Sequence, residues 1–229
     1  LVQLWNEPDQ DRLMWNGPAW SVSAEAFAYT LFPLLVLLFF RMGRVLSTRN
    51  LVVLSVGAVL PVSLFVGTFG TLYVPWGWML RILCGFVGGA LMWHAVEKAR
   101  ITPSMRAWAS HLALLLVVGI VAWTYVADAI GWGHLVPIVA PVFVILIGLL
   151  AIGDRHIVTL LSTRVFVVGG AASYSIYMVH MLVIEPFWWA QGNIGDGLAP
   201  GTTGAKIGFL VLPLVVIALG YCMWRWFEE

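Results

Sequence analysis

Seven runs of apolar residues, separated by short polar segments, divide the chain. Each run is about as long as a helix that crosses the hydrocarbon core of a bilayer, which takes about 20 residues. The runs do not alternate between apolar and polar positions as strands do, and lipid admits only helices or closed barrels. The pattern therefore predicts an all-α fold, a polytopic transmembrane helix bundle, with spans near residues 20–40, 50–69, 77–96, 110–127, 134–152, 166–189 and 205–226.

The composition narrows the class of protein. Of the 229 residues, 61% are hydrophobic and 10% are charged, whereas a soluble domain usually carries about 25% charged residues. An ordinary cytosolic enzyme and a disordered chain are thereby excluded, and the lipid bilayer is the expected partner. The formal net charge of +1 gives no reason to expect nucleic acid as a partner. The two cysteines show no metal-ligand or disulfide spacing, and no metal site is predicted.

The basic residues between the spans indicate an orientation. Only two basic residues, Arg12 and Lys206, lie in the segments on one side of the membrane, and nine lie on the other side. Cytoplasmic loops are enriched in Lys and Arg, so we predict that the side with nine basic residues is cytoplasmic. The start of the chain is then outside and its end is in the cytoplasm. The chain opens outside at Leu1 with no visible signal peptide, and we expect a fragment that lacks earlier spans, an odd number of them if the N-terminus of the whole protein is cytoplasmic. The residues that define the cytoplasmic side are Arg41, Arg44, Arg49, Lys98, Arg100, Arg106, Arg155, Arg164 and Arg225.

Span one carries a polar stripe. Ser21, Glu25 and Tyr29 follow one another at i, i+4 and i+8, so they share one helix face, and Pro33 is expected to kink the helix. Ionisable residues inside a membrane are costly and usually mark function. Glu25 is therefore predicted to face a polar cavity from the outer side; the alternatives are a carboxylate that reaches back to the interface or one that pairs with an arginine for packing.

Arg81 lies about one turn inside the outer end of span three, which also carries a strip of small residues suited to close helix packing, Cys84, Gly85, Gly88 and Gly89. Two interpretations stay open for the arginine. It pairs with Glu25 or holds an anionic or polar group of a substrate, or else it extends to the outer interface.

Span six carries a second polar stripe. Ser173, Tyr177 and His180 fall at i, i+4 and i+7, and His180 lies close to the middle of the span. An imidazole there serves as a general base, organises a site, or makes a structural hydrogen bond. The other four histidines lie near the ends of spans or in a loop and are interpreted as interfacial, His94, His111, His134 and His156.

These stripes carry a family resemblance. Residues 20–29, followed by Pro33, resemble the Trp-Ser-x-x-x-Glu-x-x-x-Tyr signature of the acyltransferase family 3 integral membrane proteins. Residues 173–180 are similar to the late Ser-Tyr-Ser-x-Tyr-x-x-His helix of that family. Two further matches are shorter: Arg81 with Phe86, Gly88 and Gly89 resembles the middle Arg…Phe-x-x-Gly span, and Phe227-Glu228 resembles the start of the closing Phe-Glu-x-Pro segment.

The resemblance implies about ten spans with a cytoplasmic N-terminus, so three spans would precede the single domain formed by residues 1–229. It implies a membrane O-acyltransferase of the bacterial inner membrane, which moves an acyl group, usually acetyl, from acyl-CoA to a hydroxyl of a sugar or cell-envelope glycan. Acyl-CoA (acetyl-CoA) is then a co-substrate, and no bound cofactor is expected. The presumed catalytic base of the family is the histidine of an Arg/Lys-x10-His motif in its first span. The resemblance therefore implies that this chain lacks that base and is inactive alone.

The same resemblance implies roles for residues in this chain. The expected catalytic residues are Glu25, His180 and Arg81, and the expected substrate-binding residues are Trp20, Ser21, Tyr29, Ser173, Tyr174 and Tyr177. A transporter or flippase for a polar envelope metabolite is the rival class, because a kinked helix, a glycine-rich span and a midplane histidine suit it too. A retinal protein is disfavoured, since both lysines lie at span ends.

Overall fold

A computed structural model describes residues 19–70, 77–193 and 201–227, and all regular structure in these ranges is helical. Seven helical segments are long and apolar enough to cross a membrane, which confirms the predicted all-α fold with seven spans. The helices are α1 (Ala19–Val45), α2 (Thr48–Phe69), α3 (Gly77–Lys98), α4 (Pro103–Ala129), a 3₁₀ segment (Gly133–Val139), α5 (Ala140–Ile152), α6 (Ile157–Leu161), α7 (Arg164–Asn193) and α8 (Thr203–Phe227).

Polar caps decide where several helices begin and end. The hydroxyl of Ser47 accepts a hydrogen bond from the backbone N–H of Asn50 at the start of α2. Thr102 caps α4 in the same way, and Pro103 follows it at a position where a missing N–H costs nothing. Because of this cap, α4 starts seven residues before the predicted span and carries its first polar turns into the interface.

Span five is not a uniform α-helix. Its first part is a 3₁₀ segment, Gly133–Val139, and only the remainder, Ala140–Ile152, is α-helical. Pro137 and Pro141 have no N–H, so two successive turns of an α-helix would lack a hydrogen bond there. The backbone N–H of Ala140 instead bonds the carbonyl of Pro137, three residues back.

The described residues divide into two compact units. The first contains residues 23–161, and the second contains residues 162–227 together with the first turn of α1. In the first unit, apolar residues of α1, α2, α3 and α5 form one buried core, whose members are Phe39, Leu51, Val59, Leu91, Met92, Ala95 and Val144.

Within the first unit, α3 packs against three helices. An added Cβ on Gly88 would lie 2.5 Å from Val59 of α2 and 3.5 Å from Val144 of α5. The ring of Phe86 contacts Phe32 of α1, with ring centroids 5.8 Å apart. The residue pairs in contact show that α1, α3 and α5 are parallel to one another and that α2 is antiparallel to them. This is expected when successive spans cross a membrane in alternate directions.

In the second unit, α7 and α8 pack antiparallel along glycines of α8. Gly208 lies against Phe187, and Gly220 lies against Ile176. Pro186 lies inside α7, which continues to Asn193. Transmembrane helices tolerate such prolines where neighbouring groups satisfy the freed carbonyl.

Candidate functional site

The first polar face lies near the start of α1. Ser21 and Glu25 are half-buried, and Tyr29 is 66% exposed. Ala24 and Ala28, on an adjacent face of the same helix, are buried. The predicted stripe therefore forms on one continuous helix, and its carboxylate is partly covered by protein. Trp20, which the sequence places at the start of this stripe, has its side chain outside the described residues.

Contacts between α1 and α3 fix the depth of Glu25 relative to Arg81. Phe40 contacts His94, and Lys98 bonds carbonyls at positions 43, 44 and 46, so a residue of α1 lies level with the residue about 54 positions later. Glu25 is therefore level with Met79. With a rise of 1.5 Å per residue, Arg81 lies only about 3 Å from this level along the helix axis.

Equal depth does not bring the two side chains together. Among the described residues, the ion pairs within 4.0 Å are His94–Glu97 and Arg155–Asp154, and Glu25 and Arg81 do not form one. At about 100° per residue, Arg81 is turned by about 140° from Phe86, which contacts α1. Arg81 instead shares the face that deeper in the helix carries Gly88 and Met92, the residues packed on α2 and α5.

The predicted small-residue strip of α3 serves packing at one position. Gly88 meets α2 and α5, as described above. An added Cβ on Gly85 or Gly89 would meet nothing within 4 Å. Gly88 therefore serves helix packing, whereas Gly85 and Gly89 border open space.

The second polar face lies on α7. The hydroxyl of Ser173 donates to the carbonyl oxygen of Gly170 at 2.7 Å. The imidazole Nδ1 of His180 bonds the backbone carbonyl oxygen of Tyr177, and the rings of these two residues lie 5.3 Å apart. Tyr174 is 44% exposed and, at about 100° per residue, lies about 60–120° around the helix from the three stripe residues. The three predicted stripe residues are therefore brought together as one polar face.

The α7 face lies beside the contact with α8. Ile176 and Phe187 point at glycines of α8, and at about 100° per residue Ser173, Tyr177 and His180 are rotated from Ile176 by about 40–100°. His180 is half-buried. The packing of α7 on α8 therefore uses Ile176 and Phe187 and leaves the polar face beside the contact.

Several polar contacts near the C-terminal ends of α1, α3 and α5 were not predicted. The Nζ of Lys98 donates to the carbonyl oxygens of Gly43 at 3.1 Å, Arg44 at 3.2 Å and Leu46 at 2.7 Å. These carbonyls lie at the C-terminal end of α1, where a cation is favourable. Lys98, which the sequence analysis used only to assign the membrane orientation, therefore also joins α3 to α1.

A second unpredicted contact joins α4 to the turn before α6. Ser110 is fully buried, and its hydroxyl accepts the backbone N–H groups of Asp154 at 2.9 Å and Arg155 at 3.0 Å. Beside it, Nε2 of His156 lies 3.1 Å from Nδ1 of His111. The two exposed histidines agree with the predicted interfacial positions, but they also contact each other.

His94, which the sequence analysis interpreted as interfacial, is buried. It is 7% exposed and packs under α1, a contact that the sequence did not predict. An added Cβ on Gly43 would lie 2.8 Å from the imidazole Nδ1, and the ring also contacts Phe40. The glycine on α1 creates the space, and no pattern within α3 reveals it. No group of three or more His, Cys, Asp or Glu side chains among the described residues is arranged to hold a metal ion.

Comparison with known families identifies the arrangement. A family model described as an acyltransferase domain, that of acyltransferase family 3, matches residues 2–226. The chain belongs to this family. A search of curated proteins and a search of solved structures each return no match. The two polar helix faces are therefore features of a membrane acyltransferase, and the resemblance of residues 20–29 and 173–180 to this family is confirmed.

Proposed function

We propose that this acyltransferase family 3 protein moves an acyl group, acetyl in the simplest case, from acyl-CoA at the cytoplasmic side to a hydroxyl of a sugar or cell-envelope glycan. The family match over residues 2–226 carries the proposal. The seven spans and the basic residues of one set of loops support an enzyme of the bacterial inner membrane, with the end of the chain in the cytoplasm.

The reaction sets the requirements. The acceptor oxygen attacks the thioester carbonyl carbon, a C–O bond forms, the C–S bond breaks, and the coenzyme A thiolate takes up the proton that the hydroxyl loses. Such a transfer needs a group that accepts the hydroxyl proton and donors that stabilise the tetrahedral oxyanion. Acyl-CoA is a co-substrate in this scheme, and no resident cofactor is required.

The polar residues of the two faces suit these requirements. Glu25 is half-buried in a helix of otherwise apolar character, which suits a carboxylate that orients a base or binds an acceptor hydroxyl. Arg81 is a cation at the same depth on a different face of α3, which suits stabilisation of developing negative charge. Hydroxyls and rings on α7 suit a sugar, which presents both hydroxyls and apolar faces; they belong to Ser173, Tyr174 and Tyr177. Trp20, Ser21 and Tyr29 are assigned the same role on α1.

Acetyl transfer by the full-length protein tests the proposal. With labelled acetyl-CoA and envelope glycan as substrates, reconstituted wild-type protein is expected to label the glycan. Glu25→Gln keeps the shape of the side chain but removes its charge, and kcat/KM should fall at least tenfold. The matched control is Glu97→Gln on α3, an exposed carboxylate at the other end of the helices, which should retain wild-type transfer.

A transporter or flippase is the competing function. The observation that favours it is the interruption of spans: α1, α2, α7 and α8 contain prolines, and span five begins as a 3₁₀ helix. If the reconstituted protein moved glycan across a vesicle membrane and gave no labelled product with acetyl-CoA, the acyltransferase proposal would be overturned in favour of transport.

A further inference from the structure

We propose that His180 is held as the neutral Nδ1–H tautomer and that its Nε2 accepts a hydrogen bond from a hydroxyl of the acyl acceptor. The inference rests on the proposed function, because it assigns a contact to the substrate of that reaction. It also states which chemical group the α7 face recognises.

The tautomer follows from the partner of Nδ1. That nitrogen bonds the backbone carbonyl oxygen of Tyr177, and a carbonyl oxygen can only accept, so Nδ1 must carry the proton. In a neutral imidazole one nitrogen donates and the other accepts. Nε2 therefore has a lone pair and no proton.

The position of Nε2 requires a donor from elsewhere. His180 lies about 24 Å along α7 from Arg164 and about 20 Å from Asn193, which places it near the middle of the span. No described residue forms a hydrogen bond with Nε2, and the side chain is half-buried. An acceptor left unsatisfied in an apolar environment costs free energy, so a ligand that donates to it gains that amount on binding.

The lone pair is selective for the kind of ligand. An O–H group donates to Nε2, whereas a carboxylate or phosphate oxygen has no proton to donate and is repelled. The adjacent Ser173 and Tyr177 side chains carry further hydroxyls on the same helix face. This part of the acceptor is therefore an uncharged, hydroxyl-bearing group, such as a sugar ring, and not an anionic one.

Two substitutions separate the ring nitrogens. His180→Asn places an amide nitrogen where Nδ1 lies and has nothing at the Nε2 position. His180→Gln extends its amide oxygen toward the Nε2 position and loses the bond to Tyr177. In full-length protein assayed with labelled acetyl-CoA, we expect the apparent KM for envelope glycan to rise about tenfold or more in His180→Asn and markedly less in His180→Gln.

A purely structural histidine predicts the reverse order. If the bond to Tyr177 were its only role, His180→Asn would keep the wild-type KM and His180→Gln would be the impaired variant. That order, or two variants with wild-type KM, would overturn the proposal. His134→Asn is the matched control, since His134 is exposed near a helix start outside both polar faces, and its KM should not change.

A spectroscopic measurement covers the case in which both variants fail to fold. Nitrogen-15 NMR of histidine-labelled wild-type protein in bilayers distinguishes the two neutral tautomers of His180, whose resonances are assigned by site-selective labelling. A resonance pair for Nδ1–H and unprotonated Nε2 is expected, and an Nε2–H tautomer would overturn the inference. This readout is independent of acyl transfer, so an inactive wild-type protein would refute the proposed function without deciding the tautomer.

Discussion

The α2–α3–α5 cluster and the α7–α8 pair both use glycine to bring helices together, but they differ in what meets at the glycine. At Gly88 an added Cβ would meet the end of the Val59 side chain at 2.5 Å and the carbonyl oxygen of Ser55 at 3.1 Å. At Gly220 it would meet the Cγ1, Cα and N of Ile176 at 2.5, 2.6 and 2.8 Å. The contact under 3.0 Å at Gly88 comes from a side chain that can rotate, whereas those at Gly220 include the backbone of the facing helix.

The two regions also differ in how their polar side chains are satisfied. In the cluster, the hydroxyl of Ser55 donates to the carbonyl oxygen of Gly88 on the neighbouring helix at 2.6 Å, and Ser63 donates to that of Ile138 at 2.8 Å. On α7, Ser173 and His180 bond carbonyls of their own helix. Ser55 and Ser63 therefore join neighbouring helices, whereas Ser173 and His180 form hydrogen bonds within their own helix.

The largest effect should come from Gly220→Ala. Because the new methyl group overlaps the backbone of Ile176, the α7–α8 pair must separate, and we expect a loss of about 3 kcal/mol in the free energy of unfolding. Steric trapping or thermal unfolding in detergent would measure it. Gly169→Ala, where nothing lies within 4 Å, is the control and should be no less stable than wild type. Equal stability of the two variants would refute the backbone contact.

Gly88→Ala should be intermediate, with a loss of about 1–2 kcal/mol, because Val59 can move. The sharper test is the double variant with Val59→Ala. Removing the valine methyl groups relieves the closest contact and leaves the Ser55 carbonyl oxygen at 3.1 Å, so the two substitutions together should cost less than the sum of their separate effects. Strict additivity would show that Gly88 is constrained by something other than Val59.

Ser55→Ala should cost about 1 kcal/mol, the usual worth of one hydrogen bond between membrane helices. Ser173→Ala removes a bond within one turn of α7 and should change stability by only a few tenths of that. Glycan transfer should respond in the opposite sense: Ser55→Ala is expected to keep the apparent KM, and Ser173→Ala to raise it. Matching stability losses in the two serine variants would erase the distinction between the regions.

Among the contacts between helices, the smallest effect is expected from Lys98→Met. The three carbonyls at the end of α1 lose their cation but stay accessible to water at the interface, so the loss should be about 0.5 kcal/mol. Lys206→Met, an exposed lysine at the start of α8, should leave stability unchanged. A loss well above 1 kcal/mol for Lys98→Met would mean that this lysine supports the α1–α3 packing throughout its length.

Local patterns predicted much of this architecture. Run length alone located the seven spans, and spacing alone placed Ser173, Tyr177 and His180 on one face, because both depend only on helix geometry. Features that depend on a second helix were not predictable. The burial of His94 requires a glycine on α1, and the separation of Arg81 from Glu25 depends on which face of α3 packs against α1. Neither is encoded within about one turn of the residue concerned.

The 3₁₀ segment of span five also has a consequence for length. A 3₁₀ helix rises about 2.0 Å per residue, compared with about 1.5 Å for an α-helix. The seven residues Gly133–Val139 therefore cover about 14 Å, where an α-helix would cover about 10 Å. The 20 residues of this span thus reach a few ångströms beyond the roughly 30 Å thickness of the hydrocarbon layer. Pro137 and Pro141 remove two α-helical hydrogen bonds from this span, and the 3₁₀ geometry that results makes it longer. One of the shortest spans by residue count is therefore still longer than the hydrocarbon layer is thick.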